Sequence, residues 1–206
     1  MDAAAPIVGI AADLAISPGA FVAPGAAIGP GCRIGPGCVI GPDCVLEAGV
    51  ELVAHVVLDG RTRLGAGVRV SPFATIGLHV TINRSIHEGQ ATTVGARCFL
   101  MANAHVGHDC AVADDVVLVN NVMLAGHVEI GDFAVLQGAA GVQQFVRVGR
   151  MALVTGMAGV ERNVLPFGRV KGYRAKLAGL NTIALRRRLG LRKEQTMVVA
   201  RAVHDL

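Results

Sequence analysis

The stretch IGPGCRIGPGCVIGPDCVL, residues 28–46, repeats one pattern at intervals of six residues. Each repeat joins a large aliphatic residue to a turn rich in glycine and proline. Stepping by six from Ile10 to Val160 meets an aliphatic residue at 25 of 26 positions, and Glu88 is the exception. A regularity of this extent indicates a repeat protein in which every repeat has the same structural environment.

A second register lies four residues after the first and is held by small or aliphatic residues, such as Ala20, Val50 and Ala134. All five cysteines fall in this register: Cys32, Cys38, Cys44, Cys98 and Cys110. Their spacing is inherited from the repeat, so we interpret them as small buried hydrophobic side chains. A disulfide framework or a zinc site is not expected from them.

A period of six matches neither the helical period of about 3.6 nor the strand period of about 2. Hexapeptide periodicity is typical of a parallel β-helix, in which three hexads form one triangular coil. Residues 18 apart would then lie one above the other, in strands about 4.8 Å apart. The sequence predicts an all-β solenoid of about eight coils, and the break at Glu88 in SIHEGQATT (residues 85–93) predicts an external loop.

The charge is unevenly distributed along the chain. Residues 1–160 hold 8 Lys and Arg against 12 Asp and Glu, whereas residues 161–206 hold 11 against 3. We therefore predict a β-helix over 1–165, with its external loop near 83–93, and a basic C-terminal region over 166–206. A basic region suits an acidic partner, although a solvated helix face would have the same composition.

The composition predicts a soluble, cytoplasmic protein with a narrow core. There are 27 glycines and no tryptophan, yet 52% of the residues are hydrophobic, so small aliphatic side chains must form the interior. No apolar run approaches the ~18 residues of a membrane-spanning helix. The N-terminal sequence MDAAAPIVGIAAD also lacks the basic segment of a signal peptide.

The stretch NAHVGHDC, residues 103–110, places polar side chains on the outside of the predicted β-helix. Stacking by 18 puts Gly126 and then Gln144 above His108, and His127 above Asp109. A polar column on one edge is notable because only 17% of the residues are charged. The column is therefore the candidate site.

An outward histidine beside a carboxylate can act as a general base, because the carboxylate orients the imidazole and stabilises its protonated form. In this interpretation His108 is the base and Asp109 the orienting group. Gly126 would offer an unobstructed backbone N–H to an oxyanion, as acyl transfer requires.

A zinc site is the alternative chemistry for the same column. His105, His108 and His127 could supply three ligands, and the sequence does not separate this set from a base and its carboxylate. The remaining histidines are interpreted as surface residues without a function: His55, His79, His87 and His204.

Several segments, in order, resemble the acyl-carrier-protein-dependent UDP-N-acetylglucosamine O-acyltransferases of lipid A biosynthesis. They are LMANAHVGHDC, NNVMLAGHVEIGDFAVLQG, GVQQFVRVG, GMAGVERNVLP and GLNTIALRRRLG. The resemblance implies a left-handed β-helix, a homotrimer with active sites between subunits, and a helical C-terminal region shorter than the family's. It also implies an acyl carrier protein as donor and a UDP-sugar as acceptor, with no cofactor, metal, nucleic acid or membrane insertion.

By position, the resemblance assigns the general base to His108, its carboxylate to Asp109 and the oxyanion backbone to Gly126. It implies a substrate-binding role for a further set of residues. By this resemblance, His105, His127 and Gln144 line the sugar and acyl site. Asn181 and Arg187 reach the nucleotide, and Gly156 limits the acyl chain.

The chain also departs from the family pattern. After FATIG the family carries about one further coil and a loop whose Asp and Lys hold the sugar, whereas Gly77 runs directly into LHVTINRS. Asn83 and Gln143 stand where the family has histidines, and Ile183 where it has an acidic residue. A coenzyme A donor, a different sugar acceptor and a non-catalytic or metal-bearing β-helix therefore remain as alternatives.

Overall fold

The computed structural model describes residues 14–58, 62–88 and 90–204; Ile10, the start of the six-residue series, lies outside them. Two-residue strands alternate with turns along the described chain. Before the external loop they are β1 (Ala15–Ile16), β2 (Phe21–Val22), β3 (Ala27–Ile28), β4 (Arg33–Ile34), β5 (Val39–Ile40), β6 (Val45–Leu46), β7 (Glu51–Leu52), β8 (Val57–Leu58), β9 (Arg63–Leu64), β10 (Arg69–Val70), β11 (Thr75–Ile76) and β12 (Thr81–Ile82).

After the loop the strands continue with the same spacing. They are β13 (Thr93–Val94), β14 (Phe99–Leu100), β15 (His105–Val106), β16 (Ala111–Val112), β17 (Val117–Leu118), β18 (Met123–Leu124), β19 (Glu129–Ile130), β20 (Val135–Leu136), β21 (Gly141–Val142), β22 (Arg147–Val148), β23 (Leu153–Val154) and β24 (Gly159–Val160). The C-terminal elements are β25 (Gly168–Lys171), β26 (Lys176–Leu180), α1 (Thr182–Leu189) and α2 (Lys193–His204).

Successive strands belong in turn to three parallel sheets, which form the three faces of a prism within the described residues. The first sheet runs β1-β4-β7-β10-β13-β16-β19-β22 and the third runs β3-β6-β9-β12-β15-β18-β21-β24. The second runs β2-β5-β8-β11-β14-β17-β20-β23 and continues into β25 and β26. The predicted left-handed parallel β-helix of about eight coils is confirmed.

The register shows how the external loop fits into the stack. Arg69 pairs with Glu51, 18 residues earlier, but with Thr93, 24 residues later. The loop therefore adds six residues at one corner while the strands on either side of it remain paired. Above the loop the offset returns to 18, as in the pairing of His105 with Met123.

The core consists of the aliphatic residues of the six-residue series and the small residues of the second register. Ile34, Leu52 and Leu124 are at most 1% exposed, and all five cysteines are buried. Burial of one such aliphatic side chain stabilises the fold by about 1.5–3 kcal/mol. The interior is a stack of repeated layers, so the fold does not need large aromatic side chains.

The corners of the prism require left-handed backbone conformations at regular intervals. Asp109, His127 and Phe145 have φ angles of 59°, 60° and 64°, a region that non-glycine residues seldom adopt. Each of these residues is one coil above the previous one at the same corner. The repeat thus places the side chains of Asp109, His127 and Phe145 in one column. The left-handed backbone costs free energy at each corner, and the pairing of the stacked strands offsets that cost.

The C-terminal region begins with a β-hairpin, β25 and β26, that the sequence did not predict. Helix α1 follows, capped by the Asn181 side chain, which accepts from the Ala184 N–H, and ended by Gly190 with φ of 66°. Leu185 is buried and the Arg188 guanidinium lies 4.3 Å from the Phe133 ring centroid, so α1 packs against the prism. Among the described residues, no helix is long and apolar enough to cross a membrane.

Candidate active site

The candidate site lies at the corner where each coil passes from the third sheet to the first. His108 and Asp109 follow β15, Gly126 and His127 follow β18 one coil above, and the external loop leaves from the same corner below. This column is called the histidine corner. It comprises residues 83–88, 90–92, 108–109, 126–127 and 144–145.

His108 and Asp109 form the hydrogen-bonded pair that the sequence predicted. Nδ1 of His108 lies 2.7 Å from Oδ2 of Asp109. The His108 side chain is 29% exposed, whereas that of Asp109 is 5% exposed. The imidazole can therefore reach a substrate while its carboxylate partner is shielded from water.

The external loop holds Asp109 from below. The Ser85 hydroxyl donates to one carboxylate oxygen, the Ile86 N–H lies 3.4 Å from the other, and the Asp109 N–H donates to Thr92 Oγ1 at 2.9 Å. Burial alone would raise the pKa of Asp109, but the hydrogen bonds from Ser85 and His108 lower it well below its ordinary value of 3.8. The Asp109 carboxylate is therefore ionised at neutral pH, and its hydrogen bonds with Ser85 and His108 fix its orientation.

Gly126 is buried, and the His108 ring lies where its side chain would be. A Cβ at Gly126 would lie 2.4 Å from Cε1 of His108, so only glycine leaves room for this imidazole. Within the described coils the Gly126 N–H donates no backbone hydrogen bond. Its predicted oxyanion role stays a prediction.

His127 completes the corner above Asp109. Its Nε2 lies 3.8 Å from Oδ2 of Asp109, and its ring meets the His108 ring edge-on at a centroid distance of 5.0 Å. Phe145, one coil higher, stacks on His127 at 4.5 Å. His87 of the loop approaches His127 from the other side, with ring centroids 5.7 Å apart.

His105 lies on the third sheet rather than at the corner. Its Nδ1 is 2.7 Å from Thr81 Oγ1, and partial burial lowers its pKa from the ordinary value of 6.5. Together with Met123, Gly141 and Gly159 it lines an open groove of about 570 Å³. This groove is next to the histidine corner and has a mainly apolar floor.

A second pocket of about 280 Å³ lies below His108, beside the external loop. Asn83 and Arg84 line it together with Arg63, whose Nη2 is 2.6 Å from Oε1 of Glu47. Arg63 and Arg84 bring positive charge next to the candidate base, and Glu47, which also lines the pocket, offsets that of Arg63.

Two further predicted residues lie apart from the His108–Asp109 pair. Gln144 belongs to the histidine corner but is exposed. Gly156 lies at the corner between the second and third sheets, where its N–H donates to Gln137 Oε1 at 3.2 Å. A Cβ at Gly156 would be 3.3 Å from the Gly138 carbonyl oxygen, so the available space there is small.

The predicted nucleotide-binding residues lie in the C-terminal region. The Asn181 amide donates to the Met151 carbonyl at 2.9 Å and its Oδ1 accepts from the Ala184 N–H at 3.2 Å, so both ends of this buried side chain have partners in its own chain. Arg187 is exposed on α1. Neither residue meets the histidine corner within one chain.

The sequence interpretation missed Ser85, His87, Thr92 and Phe145. The signal for the loop residues was the six-residue insertion, because it changes the stacking offset from 18 to 24 and places Ser85 directly below Asp109.

The structure does not bring together the alternative zinc ligands, His105, His108 and His127. His105 lies on the third sheet, and the ligand atoms that converge within 4.8 Å belong instead to His87, Asp109 and His127.

Parts of the chain match a family model described as bacterial transferase hexapeptide (six repeats), over residues 8–42 and 91–126. Among solved structures it is similar to LpxA of Acinetobacter baumannii, at 26% identity over 94% of this chain and 82% of that one, with a TM-score of 0.64. The UDP-N-acetylglucosamine acyltransferase of Francisella novicida is 30% identical over 93% of this chain and 77% of that one, with a TM-score of 0.63. The UDP-N-acetylglucosamine acyltransferase of Campylobacter jejuni is 29% identical over 91% of this chain and 82% of that one, with a TM-score of 0.64. A comparison with curated protein sequences gives no match.

Proposed function

Because the chain belongs to the family of UDP-N-acetylglucosamine acyltransferases, we propose that it transfers a 3-hydroxyacyl chain from acyl carrier protein to the 3-hydroxyl of UDP-N-acetylglucosamine, the first step of lipid A biosynthesis. The observation that carries this proposal is the partly exposed His108 imidazole, held at 2.7 Å by an ionised, shielded Asp109. An acyl carrier protein donor would place the reaction in the cytoplasm.

The pair supports direct transfer without a covalent enzyme intermediate. His108 accepts the proton of the sugar hydroxyl at Nε2 while the hydroxyl oxygen attacks the thioester carbonyl carbon. A C–O bond forms, the C–S bond breaks, and the proton returns from the imidazolium to the leaving thiolate. Asp109 keeps Nε2 directed at the reactants and stabilises the imidazolium, so a serine or cysteine nucleophile is not required.

The groove beside His105 suits the acyl chain in this proposal. Gly141 leaves space on the third sheet, because a Cβ there would meet no atom within 4 Å, and Met123 adds an adaptable apolar side chain. Gly156 is at another corner, so it can limit the acyl chain only across an interface between two copies. Arg187 can likewise bind the nucleotide only across such an interface.

An exposed apolar stripe on the second sheet supports the homotrimer. Its outward residues include Phe21, Val39, Val57 and Phe99, which are 58%, 40%, 39% and 41% exposed. An exposed apolar stripe of this kind is typical of a surface that another subunit covers. Light scattering of the purified protein tests the assembly, and a monomer mass would contradict both the trimer and the intersubunit site.

The basic C-terminal region supports an acidic carrier protein as the donor. Arg186, Arg187 and Arg192 are exposed on or next to α1, whereas Arg188 lies over Phe133. Exposed cations of this density attract an acidic partner and accelerate its association. A coenzyme A thioester is the alternative donor.

The pocket below His108 favours a second candidate acceptor, a different UDP-sugar. Glu47, Arg63 and Arg84 line this pocket. The coil that carries the sugar-binding Asp and Lys in the family pattern has no counterpart after Gly77. A different UDP-sugar, bound by the residues that line this pocket, would therefore accept the acyl chain from the same donor.

Mass spectrometry of products tests the proposal directly. The protein is incubated with 3-hydroxyacyl carrier protein and a panel of UDP-sugars, with the His108→Ala variant as control. UDP-N-acetylglucosamine heavier by one acyl group, absent with the variant, is the expected product. Transfer only to another UDP-sugar, or only from coenzyme A thioesters, would replace the proposal with the corresponding alternative.

A further inference from the structure

We propose that His87, Asp109 and His127 form a binding site for a divalent transition metal of the zinc type. We propose further that the bound metal withdraws the Asp109 carboxylate from His108. The second part rests on the proposed function, because it concerns the general base of that reaction. The first part is independent of any activity.

Three ligand atoms already converge at this place. One ligand atom each from His87, Asp109 and His127 lies within 4.8 Å of the others, and His127 Nε2 is 3.8 Å from Asp109 Oδ2. Zinc binds imidazole nitrogen and carboxylate oxygen at about 2.0–2.2 Å, so tetrahedral ligands are roughly 3.3 Å apart. The three atoms need to approach by about 1 Å or slightly more to meet that spacing.

His87 is able to make this movement. It is exposed and lies in the external loop, whereas Asp109 and His127 are held in left-handed positions by the stacked coils. A rotation of the His87 side chain brings its ligand atom closer without disturbing the β-helix. His127 Nε2 and Asp109 Oδ2, 3.8 Å apart, need only approach by about half an ångström to reach the tetrahedral spacing.

The groups around the three ligands hold them in orientation, as metal sites require. Ser85 donates to the Asp109 carboxylate, which leaves Oδ2 directed at His127. Phe145 stacks on the His127 ring at 4.5 Å with an interplanar angle of 8° and fixes its plane. These contacts hold the Asp109 carboxylate and the His127 ring in place, so the ligand geometry is largely preformed.

The ligand set selects the metal. Two imidazoles and one carboxylate suit zinc, cobalt or nickel, whereas magnesium and calcium prefer sets made only of oxygen ligands. Three protein ligands leave a fourth position for water or a substrate atom. His87 is the member that the repeat does not supply, since it belongs to the six inserted residues.

Binding of a metal would compete with the His108–Asp109 pair. The same oxygen, Oδ2 of Asp109, lies 2.7 Å from His108 Nδ1 and 3.8 Å from His127 Nε2. A cation on that oxygen weakens its hydrogen bond to His108 and repels the imidazolium that forms during proton transfer. The metal is therefore expected to inhibit the acyl transfer.

Metal binding to the full-length protein tests the site without reference to activity. We expect calorimetry with Zn²⁺ to show one ion per chain, and Co²⁺ to give the visible absorption of a four-coordinate site. His87→Ala and His127→Asn should each weaken Zn²⁺ binding by more than the roughly 10–100-fold caused by losing an outer-shell partner. His79→Ala, which removes an exposed histidine at another corner, should leave binding unchanged.

Unchanged Zn²⁺ affinity in His87→Ala, or no binding by the unaltered protein at micromolar Zn²⁺, would overturn the site. If acyl transfer is detected, Zn²⁺ should inhibit it, and His87→Ala, measured relative to its own rate without Zn²⁺, should lose that inhibition. Equal inhibition of both proteins would overturn the competition with His108. A chain that binds Zn²⁺ through His87 but transfers no acyl group would contradict the proposed function and leave the metal site intact.

Discussion

Asp109 Oδ2 lies 2.7 Å from His108 Nδ1, although the two residues are neighbours in the chain. Adjacent side chains seldom bond in this way on a regular strand, because they point to opposite faces. Here the left-handed φ of 59° at Asp109 turns its carboxylate back towards the preceding imidazole. The tight corner of the β-helix therefore creates the pair.

Replacing His108 by alanine should lower turnover by about 10²–10⁴-fold, the usual loss when a general base is removed. The thermal midpoint should change little, because the side chain is partly exposed and lies outside the core. Steady-state kinetics and calorimetric melting measure the two effects, with His79→Ala as the matched control. Turnover equal to that of the control would exclude His108 as the base.

Ser85 is predicted to act as a positioning residue through Asp109. Its hydroxyl donates to the carboxylate, and hydrogen bonds to charged groups contribute about 1.5–3 kcal/mol. Ser85→Ala should therefore reduce kcat by about ten-fold or more with little change in KM, and Ser85→Thr, which keeps the hydroxyl, should restore most of it. Equal kinetics for the alanine and threonine variants would show that the hydroxyl has no part in orienting Asp109.

Gly126→Ala should displace the His108 ring, since the new Cβ would lie 2.4 Å from its Cε1. A misplacement of about 1 Å can cost roughly 10²-fold in rate, and a loss of this size is expected in kcat. The control is Gly138→Ala, whose Cβ would meet its nearest atom at 3.5 Å. Full activity of Gly126→Ala would mean that the observed position of the His108 ring is not the reactive one.

Stability should depend on pH through Asp115. The hydrogen bond from Arg97, at 2.5 Å, lowers the pKa of Asp115 below its ordinary value of 3.8, although partial burial opposes the shift. The stabilisation is therefore complete above about pH 4 and is lost as the pH falls through the lower, folded-state pKa.

Asp115→Asn should consequently lower the melting temperature at pH 7, and the difference from the unaltered protein should close towards pH 2. Asp43→Asn is the matched control, because Asp43 has a similar φ of 59° but forms no ion pair among the described residues. A difference in melting temperature that is constant with pH would show that Asp115 stabilises the fold by some means other than its charge.

The C-terminal arginines should determine affinity for a carrier-bound donor. Arg186→Gln combined with Arg192→Gln removes two exposed charges and leaves Arg188 on Phe133, so α1 should stay packed. The KM for the carrier-bound donor should rise, and it should depend less on salt around roughly 0.15 M, where screening acts over about 8 Å. A pair of first-sheet changes, Arg33→Gln and Arg147→Gln, controls for net charge, and an equal rise in KM there would contradict a specific docking role.

The sequence alone determined the β-helix, the burial of the cysteines and the stacking of Gly126 and His127 over His108 and Asp109. It could do so because each hexad has the same environment, so a position in the repeat specifies both the face and the neighbour above. Only the tertiary structure placed Ser85 and His87 beside Asp109, covered Gly126 with the His108 ring and occupied both ends of the Asn181 amide. The loop and the C-terminal region have no period, and their partners were decided by packing against a surface whose shape the completed coils first create.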